Sequence, residues 1–141
     1  MKQTIIGSCN TIIENEELNE KVSIPCIWIS TKNTKYRLYT HKLRYIETKN
    51  RYLVIHYGNE HIFYNGKLKD FQNHLPNNFF RCNNSYIVNA NYIEKIQTDV
   101  NRYILHLISG ENVPLSRKRK KALIELIYIL YINKKESTAD D

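Results

Sequence analysis

Glycine, proline and cysteine are scarce in this sequence, and each scarcity excludes a class of protein. Four glycines and three prolines among 141 residues argue against long flexible linkers, so we expect a single domain. The three cysteines, Cys9, Cys26 and Cys82, are odd in number, far apart and without C-x-x-C spacing. This pattern argues against a disulfide framework and a structural zinc site, and it favours a reducing, cytoplasmic location.

Long apolar runs and catalytic motifs are also missing. No segment reaches the roughly 20 apolar residues that a membrane-spanning helix needs. The sequence has no phosphate-binding glycine loop, dinucleotide fingerprint, serine-nucleophile elbow or H-E-x-x-H motif. His56 and His61 are predicted to lie opposite each other on paired strands, but two histidines without a third ligand are more often a polar surface pair. We therefore expect no enzyme, no cofactor and no metal.

Positive charge is concentrated in the middle of the chain. The whole chain has a net charge of +7. An acidic extension (residues 1–23) has a net charge of −2 and a polar tail (residues 134–141) has −1, so residues 24–133 have a net charge of +10. We take 24–133 as the domain. So basic a domain repels itself, which favours a binding site for a polyanion. The alternative is a merely solubilising surface.

Eleven tyrosines, together with many isoleucines and valines, predict strands as the main element. Gly58-Asn59 and Ser109-Gly110 are the signals of two hairpins. If Tyr57 pairs with Glu60 in the first hairpin, apolar pairs lie on both faces, which predicts a sheet covered on both sides. The predicted strands are 24–31, 35–39, 43–48, 51–57, 60–65, 79–82, 85–89, 92–98, 102–108 and 112–115. Residues 1–23 show no sustained period and are predicted to form a loose extension or a short helix.

Two helices complete the predicted architecture. The first covers residues 67–75, where Leu68, Phe71 and Leu75 share one face before Pro76. The second runs from a Ser116 N-cap to about residue 133. Its second half is apolar nearly all round, which predicts burial against a sheet or another subunit.

Three polar tips interrupt these elements. In "LSRKRKK" (115–121), cationic residues occupy a helix start, where the helix dipole disfavours positive charge, so an external anion is expected there. "TKNR" (48–51) joins two strands, and Asn83-Asn84 lies between two others. Asparagine amides match the edge of adenine, although asparagine is also a common turn-former, and the charge run could be a solvated face or a nuclear localisation signal. Three tips on one β scaffold favour binding more than any one does.

Two long segments resemble the LytTR family of bacterial DNA-binding domains. They are "FFRCNNSYIVNANYIEKI" (79–96) and "LISGENVPLSRKRKKAL" (107–123), with the shared pattern Phe-Arg, Ser-Tyr-Ile-Val-Asn, Ile-x-x-Ile, Gly and Pro-x-Ser-Arg. Upstream, "LRYIETKNRYLVIHY" (43–57) is similar to the family's strand–loop–strand. The resemblance covers roughly residues 24–130.

The resemblance implies a mainly β fold of small stacked antiparallel sheets with two helices, one of them C-terminal. Its loops would enter successive major grooves of double-stranded DNA at direct repeats and regulate transcription. The implied base contacts are Arg51, Asn84 and Arg117, although some family members place His at the Arg51 position. The implied supporting or phosphate contacts are Lys49, Asn50, Asn83, Ser116, Lys118, Arg119 and Lys120. Asn89 is expected to satisfy backbone groups where a strand ends, and Cys82 to pack beneath the turn.

Family members often follow a receiver domain phosphorylated on Asp. The 23 residues before this domain contain no Asp, so we expect a standalone regulator or a separated piece of a longer protein. A homodimer on DNA and a sensor or regulatory partner are open expectations. The alternative function is a protein-interaction or dimerisation module that uses the apolar C-terminal helix. RNA binding is less favoured, because most aromatic residues alternate with aliphatic ones and are predicted to be buried.

Overall fold

A computed structural model describes residues 4–137, giving the backbone alone for Thr4, Ile6, Asn15 and residues 134–137. The chain forms two compact units, Met1–Pro76 and Asn77–Asp141. The strands and helices of the first unit are β1 (Thr4–Asn15), β2 (Glu20–Ser30), β3 (Lys35–Tyr39), β4 (Leu43–Lys49), β5 (Tyr52–Tyr57), β6 (Glu60–Tyr64) and α1 (Leu68–Gln72). Those of the second are β7 (Phe79–Asn83), β8 (Tyr86–Asn89), β9 (Ile93–Asp99), β10 (Arg102–Leu107), β11 (Asn112–Leu115) and α2 (Lys120–Ser137).

Strands β1, β2 and β3 form an antiparallel sheet in that order. The prediction of a loose extension or short helix for residues 1–23 is therefore wrong for the described residues. Strand β1 pairs with β2 from Thr4 opposite Ser30 to Asn15 opposite Glu20, with one shift of register between Ile5 and Gly7. Cross-strand hydrogen bonds are non-local, so they can form in a segment whose polar residues give no alternating pattern. The predicted domain boundary at Ile24 falls inside β2.

Cys9 and Cys26 are joined by a disulfide across β1 and β2, with their Cα atoms 5.1 Å apart. The prediction against disulfides is therefore wrong for this pair. The two residues are directly opposite in the strand register, which brings residues 17 positions apart into bonding range. Cys82 is free and buried.

Strands β6, β5 and β4 are antiparallel neighbours. The predicted hairpin register is confirmed, because Tyr57 pairs with Glu60 and Ile55 with Ile62. One face of this hairpin belongs to the core. The other face is only partly covered, since Phe63 is 64% exposed, so the prediction of cover on both faces is wrong at β6. Phe71 of α1 packs edge-to-face on Tyr64, with ring centroids 5.6 Å apart.

In the second unit, β7 and β8 form an antiparallel hairpin, and a separate sheet has the order β11-β10-β9. The hairpin predicted at Ser109-Gly110 is present between β10 and β11. In α2, Leu123 is fully buried, whereas Tyr128 and Ile129 are 63% and 51% exposed. The predicted burial of the helix's apolar second half against a sheet of this chain is therefore wrong for these two residues, and burial against another subunit stays a prediction.

The molecule is mainly β, with small antiparallel sheets, two α-helices and a C-terminal helix, as expected. The predicted strands agree with the observed strands from β3 to β11 to within one or two residues at each end. Neither helix within residues 4–137 has the length and apolar content that a membrane span requires.

Candidate nucleic-acid interface

The turn between β7 and β8 is built by its own side chains. The Asn83 side-chain oxygen accepts a hydrogen bond from the Ser85 N–H at 2.7 Å, which closes a local asparagine turn. Beneath it, Arg81 donates from Nε to the carbonyl of Asn83 and from Nη2 to the carbonyl of Asn84, each at 3.0 Å. The Asn84 side chain is left exposed at the tip and bonds no other described residue. The backbone of the turn is thus fixed while one amide faces solvent.

The segment that leads from β11 into the C-terminal helix is tied to β7. The Asn83 amide nitrogen donates to the carbonyl of Pro114 at 2.7 Å, and the Ser116 N–H donates to the carbonyl of Cys82 at 2.8 Å. Arg119 Nη1 donates to the carbonyl of Arg81 at 3.0 Å. These three hydrogen bonds hold the two predicted tips of the second unit, at Asn84 and Arg117, in one frame.

A 3-10 turn, Arg117–Arg119, precedes α2. Ser116 occupies the N-cap position of this turn, but its side chain makes no capping hydrogen bond, so the predicted capping role is wrong. The exposed Arg117 side chain donates from Nη2 to the carbonyl of Asn101 at 3.1 Å, in the β9–β10 turn. Arg117 is thereby steadied from a neighbouring hairpin.

The other cations of this segment differ in their surroundings. Lys118 is exposed. Arg119 is half-buried and engaged with the Arg81 carbonyl, and the Lys120 ammonium lies 4.4 Å from the ring centroid of Tyr103. Among the residues whose side chains the structure describes, neither Arg117 nor Lys118 has an ion-pair partner.

The third predicted tip lies in the first unit, between β4 and β5. Lys49 pairs with Tyr52, which leaves Asn50 and Arg51 as a two-residue turn. Asn50 has a φ of 59°, a left-handed conformation that asparagine tolerates better than most residues. Lys49, Asn50 and Arg51 are all exposed, so this tip also presents a cationic and amide surface.

The buried groups behind the β7–β8 turn are neutral or internally bonded. Burial lowers the pKa of Arg81, and the positive charge of Arg119 lowers it further. Burial raises the pKa of the Cys82 thiol to about 12. The Asn89 side-chain oxygen accepts from Asn78 Nδ2 at 2.8 Å and from the Asn91 N–H at 3.0 Å. The predicted places of Cys82 beneath the turn and of Asn89 at the strand end are confirmed.

Arg81 and Asn101 contribute to this site but were not among the predicted residues. Arg81 carried a signal, because it stands in "FFRC", where the neighbours on both sides are apolar. An arginine in such a strand needs hydrogen-bond acceptors, and here it finds them in the turn carbonyls. Asn101 contributes only its backbone carbonyl, and because every residue has one, the sequence could not predict this contact.

A family model of the LytTr DNA-binding domain matches residues 29–128. A solved structure has a similar fold, with a TM-score of 0.63 and 26% sequence identity, covering 72% of this chain and 95% of the other. It is the LytTr DNA-binding domain of a Bacillus cereus protein described as a methyl-accepting/DNA response regulator.

Curated relatives give a similar result. Accessory gene regulator protein A from two strains of Staphylococcus epidermidis is 36% identical over 76 residues, which is 54% of this chain. That match spans 31% of the relative's length. The family-model match begins inside β2, so all of β1 lies outside it.

Proposed function

We propose, from the premise that the chain belongs to the LytTR family of DNA-binding domains, that it is a sequence-specific, double-stranded-DNA-binding transcriptional regulator and not an enzyme. The observation that carries the proposal is the hydrogen-bonded frame behind Asn84 and Arg117. A rigid frame lowers the entropy lost when two side chains must meet two base edges together. A cytoplasmic location follows from such a role.

In this proposal the exposed tips divide the work of recognition. Asn84 and Arg117 read base edges in the major groove, where an asparagine amide matches adenine and a guanidinium matches guanine. Arg51 reads a base from the β4–β5 tip, assisted by Lys49 and Asn50. Loops reading successive grooves would suit direct-repeat sites, with two copies of the chain on one duplex.

The cations near the proposed base-contacting residues bind the phosphate backbone. Lys118 contacts phosphate, which strengthens binding to every sequence alike. Lys120 is held over Tyr103 and Arg119 over the Arg81 carbonyl, so each reaches phosphate from a fixed position. Asn83 and Ser116 support the readers through their hydrogen bonds to Pro114 and Cys82.

The experiment is a selection of bound duplexes from a random library, followed by titrations of the selected and a scrambled duplex at several salt concentrations. The affinity for the selected duplex should fall linearly with salt on a log–log scale and exceed that for the scrambled duplex. Arg117→Ala should cost about 1–3 kcal/mol on the selected duplex and relax its preference. Lys118→Ala should weaken both duplexes alike and reduce the salt slope by about one.

Lys32→Ala, an exposed change in the β2–β3 turn, serves as the matched control and should leave both affinities unchanged. Equal binding of selected and scrambled duplexes by the unmodified chain would refute sequence-specific recognition. Preference for a single-stranded competitor would favour the RNA or single-strand alternative instead.

The exposed apolar side of α2 favours a second function, contact with another copy of the chain. Ile124, Tyr128 and Ile132 follow at intervals of four residues and are 46%, 63% and 36% exposed. Sedimentation with and without the selected duplex tests this. Tyr128→Glu should abolish any dimer and leave binding to a single half-site unchanged. A dimer that persists in this variant would place the contact elsewhere.

A further inference from the structure

The β5–β6 hairpin places two imidazoles in direct contact. His56 and His61 are opposite each other in the register, and their Nδ1 atoms are 2.9 Å apart. The rings meet nearly at right angles, with an interplanar angle of 79°. When both rings are neutral, one Nδ1 carries a hydrogen and the other offers its lone pair.

The neighbours of His56 decide which nitrogen offers the lone pair. His56 Nε2 lies 2.7 Å from Glu47 Oε2, and an ionised carboxylate only accepts hydrogen bonds, so Nε2 carries the proton. The Nδ1 lone pair of neutral His56 therefore faces His61. Tyr45 stacks on the His56 ring at a centroid distance of 4.0 Å and fixes its plane. Burial, the largest influence, lowers the pKa of His56 and favours the neutral ring, against the opposing effect of Glu47.

We propose that His56 and His61 bind a late first-row divalent cation such as Zn²⁺ through their Nδ1 atoms, with Glu47 orienting His56. A carboxylate that accepts the second ring N–H of a ligating histidine is the usual support of such a ligand. Zinc–nitrogen bonds of about 2.0–2.1 Å at a tetrahedral angle place the two nitrogens about 3.3–3.4 Å apart. His61 is exposed, so its ring can withdraw by the required few tenths of an ångström and turn until both lone pairs point to the metal.

Binding requires one proton to move within His61. Its Nδ1 hydrogen, donated to His56 in the metal-free pair, leaves through solvent, and a proton is taken up at Nε2. The ring stays neutral and no net proton is released. His56 needs no such change, because Glu47 already holds its proton at Nε2.

The remaining coordination positions face an open cavity. Its volume is about 560 Å³, and it is lined by Glu47, Lys49, Val54, His56, His61 and Phe63. Among the side chains that the structure describes, no three of His, Cys, Asp or Glu are arranged to hold a metal, so water or an added anion completes the set. Lys49 and Arg44 oppose a cation electrostatically, which makes this site weaker than a four-ligand structural site. Imidazole donors favour Zn²⁺, Ni²⁺ or Cu²⁺ over Mg²⁺ and Ca²⁺.

Titration calorimetry of the full chain with Zn²⁺ and with Mg²⁺, in a non-chelating buffer, tests the site. Zn²⁺ should bind with one-to-one stoichiometry and Mg²⁺ should not bind. His61→Ala should abolish Zn²⁺ binding, and Glu47→Gln should weaken it about 10- to 100-fold. His106→Ala is the matched control, because His106 is also a strand histidine with a polar cross-strand partner, Gln97, 2.7 Å away.

Nitrogen NMR of the imidazoles gives a readout that overall stability does not affect. On Zn²⁺ addition, His61 should change from the Nδ1–H to the Nε2–H tautomer, while His106 keeps its own. Thermal unfolding without metal measures whether His61→Ala remains folded, and we expect one cooperative transition as in the unmodified chain. The proposal is overturned if the folded His61→Ala chain binds Zn²⁺ as tightly as the unmodified chain, or if the His61 tautomer is unchanged at saturation.

Discussion

The guanidinium of Arg119 donates a hydrogen bond to the main-chain carbonyl of Arg81, 3.0 Å away, although both side chains carry positive charge. The Arg81 guanidinium is itself turned toward the carbonyls of Asn83 and Asn84. Each arginine thus donates to backbone carbonyls of β7 or of the β7–β8 turn, and neither pairs with a carboxylate whose side chain the structure describes. The proposed reading surface is therefore held by main-chain carbonyls, which substitutions elsewhere in the chain leave in place.

Arg81→Ala should destabilise the fold and disorder the turn. The change removes two charge-assisted hydrogen bonds from a half-buried position, so the free energy of unfolding should fall by about 1–3 kcal/mol. Urea unfolding measures this fall. Arg102→Ala is the control: that exposed arginine makes a 3.4 Å ion pair with Asp99, and its removal should cost less than about 1 kcal/mol. Equal losses in the two variants would contradict the supporting role of Arg81.

Val100→Asn should stabilise the chain. Val100 is 84% exposed and has a φ of 35°, a left-handed conformation that costs a β-branched residue about 1–2 kcal/mol. Asparagine tolerates this conformation, so the free energy of unfolding should rise by about 1 kcal/mol. Val22→Asn is the matched control, because Val22 is 45% exposed but lies in a strand, where the change should destabilise. A loss of stability in Val100→Asn would show that the turn is not strained.

Cys82 should be unreactive in the folded chain. Burial raises the pKa of its thiol to about 12, so almost no thiolate exists at pH 8.5. Iodoacetamide should label Cys82 slowly in the folded chain and rapidly in denaturant, as measured by mass spectrometry without reductant. The label count in denaturant should be one per chain, because Cys9 and Cys26 are joined.

The same pKa shift has a consequence for stability. The ordinary pKa of a cysteine thiol is 9.0, so below pH 9 the Cys82 thiol is protonated in both the folded and the unfolded chain. The folded chain keeps this proton up to about pH 12. The contribution of the neutral thiol is therefore complete below pH 9 and is lost as the pH rises from 9 to about 12. The difference in the free energy of unfolding between the unmodified chain and Cys82→Ala should therefore be smaller at pH 10 than at pH 8. A difference that does not shrink would contradict the raised pKa.

Strand register was predictable where apolar residues alternate along both strands and a turn of two residues joins them. Gly58-Asn59 fixed the pairing of Tyr57 with Glu60, and with it the contact between His56 and His61. Strand β1 was missed because acidic and polar residues obscure any alternation, and its stability comes from pairing with β2. The exposure of Tyr128 was missed for the opposite reason, since an apolar helix face reads as buried whether or not this chain covers it.

The candidate site was predictable in its exposed members and hidden in its supports. Asn84 and Arg117 stand in motifs that the sequence displays. Their supports are carbonyls of Arg81, Asn101 and Pro114, and a backbone carbonyl has the same chemistry at every position. Only the fold determines which carbonyls a side chain meets.

Two adjacent asparagines offer a matched pair of variants that separates support from reading. Asn83 makes two hydrogen bonds of 2.7 Å, to the Pro114 carbonyl and from the Ser85 N–H, whereas the Asn84 side chain bonds no other described residue. Asn83→Ala should therefore lower the free energy of unfolding by about 1–2 kcal/mol. Asn84→Ala, at an exposed position, should change it by less than about 0.5 kcal/mol.

The two variants should also differ in how they change DNA binding. Asn84→Ala should lose its preference at one base pair of the selected duplex, at a cost of about 1–3 kcal/mol, and keep the salt slope, because no phosphate contact is removed. Asn83→Ala should weaken binding at the positions read by Asn84 and Arg117 together, since both depend on the frame that it ties to Pro114. Repeating the duplex selection with each variant measures these preferences. If Asn84→Ala selects the same duplex sequence as the unmodified chain, Asn84 does not contact a base. If Asn84→Ala lowers the free energy of unfolding as much as Asn83→Ala does, Asn84 supports the turn instead.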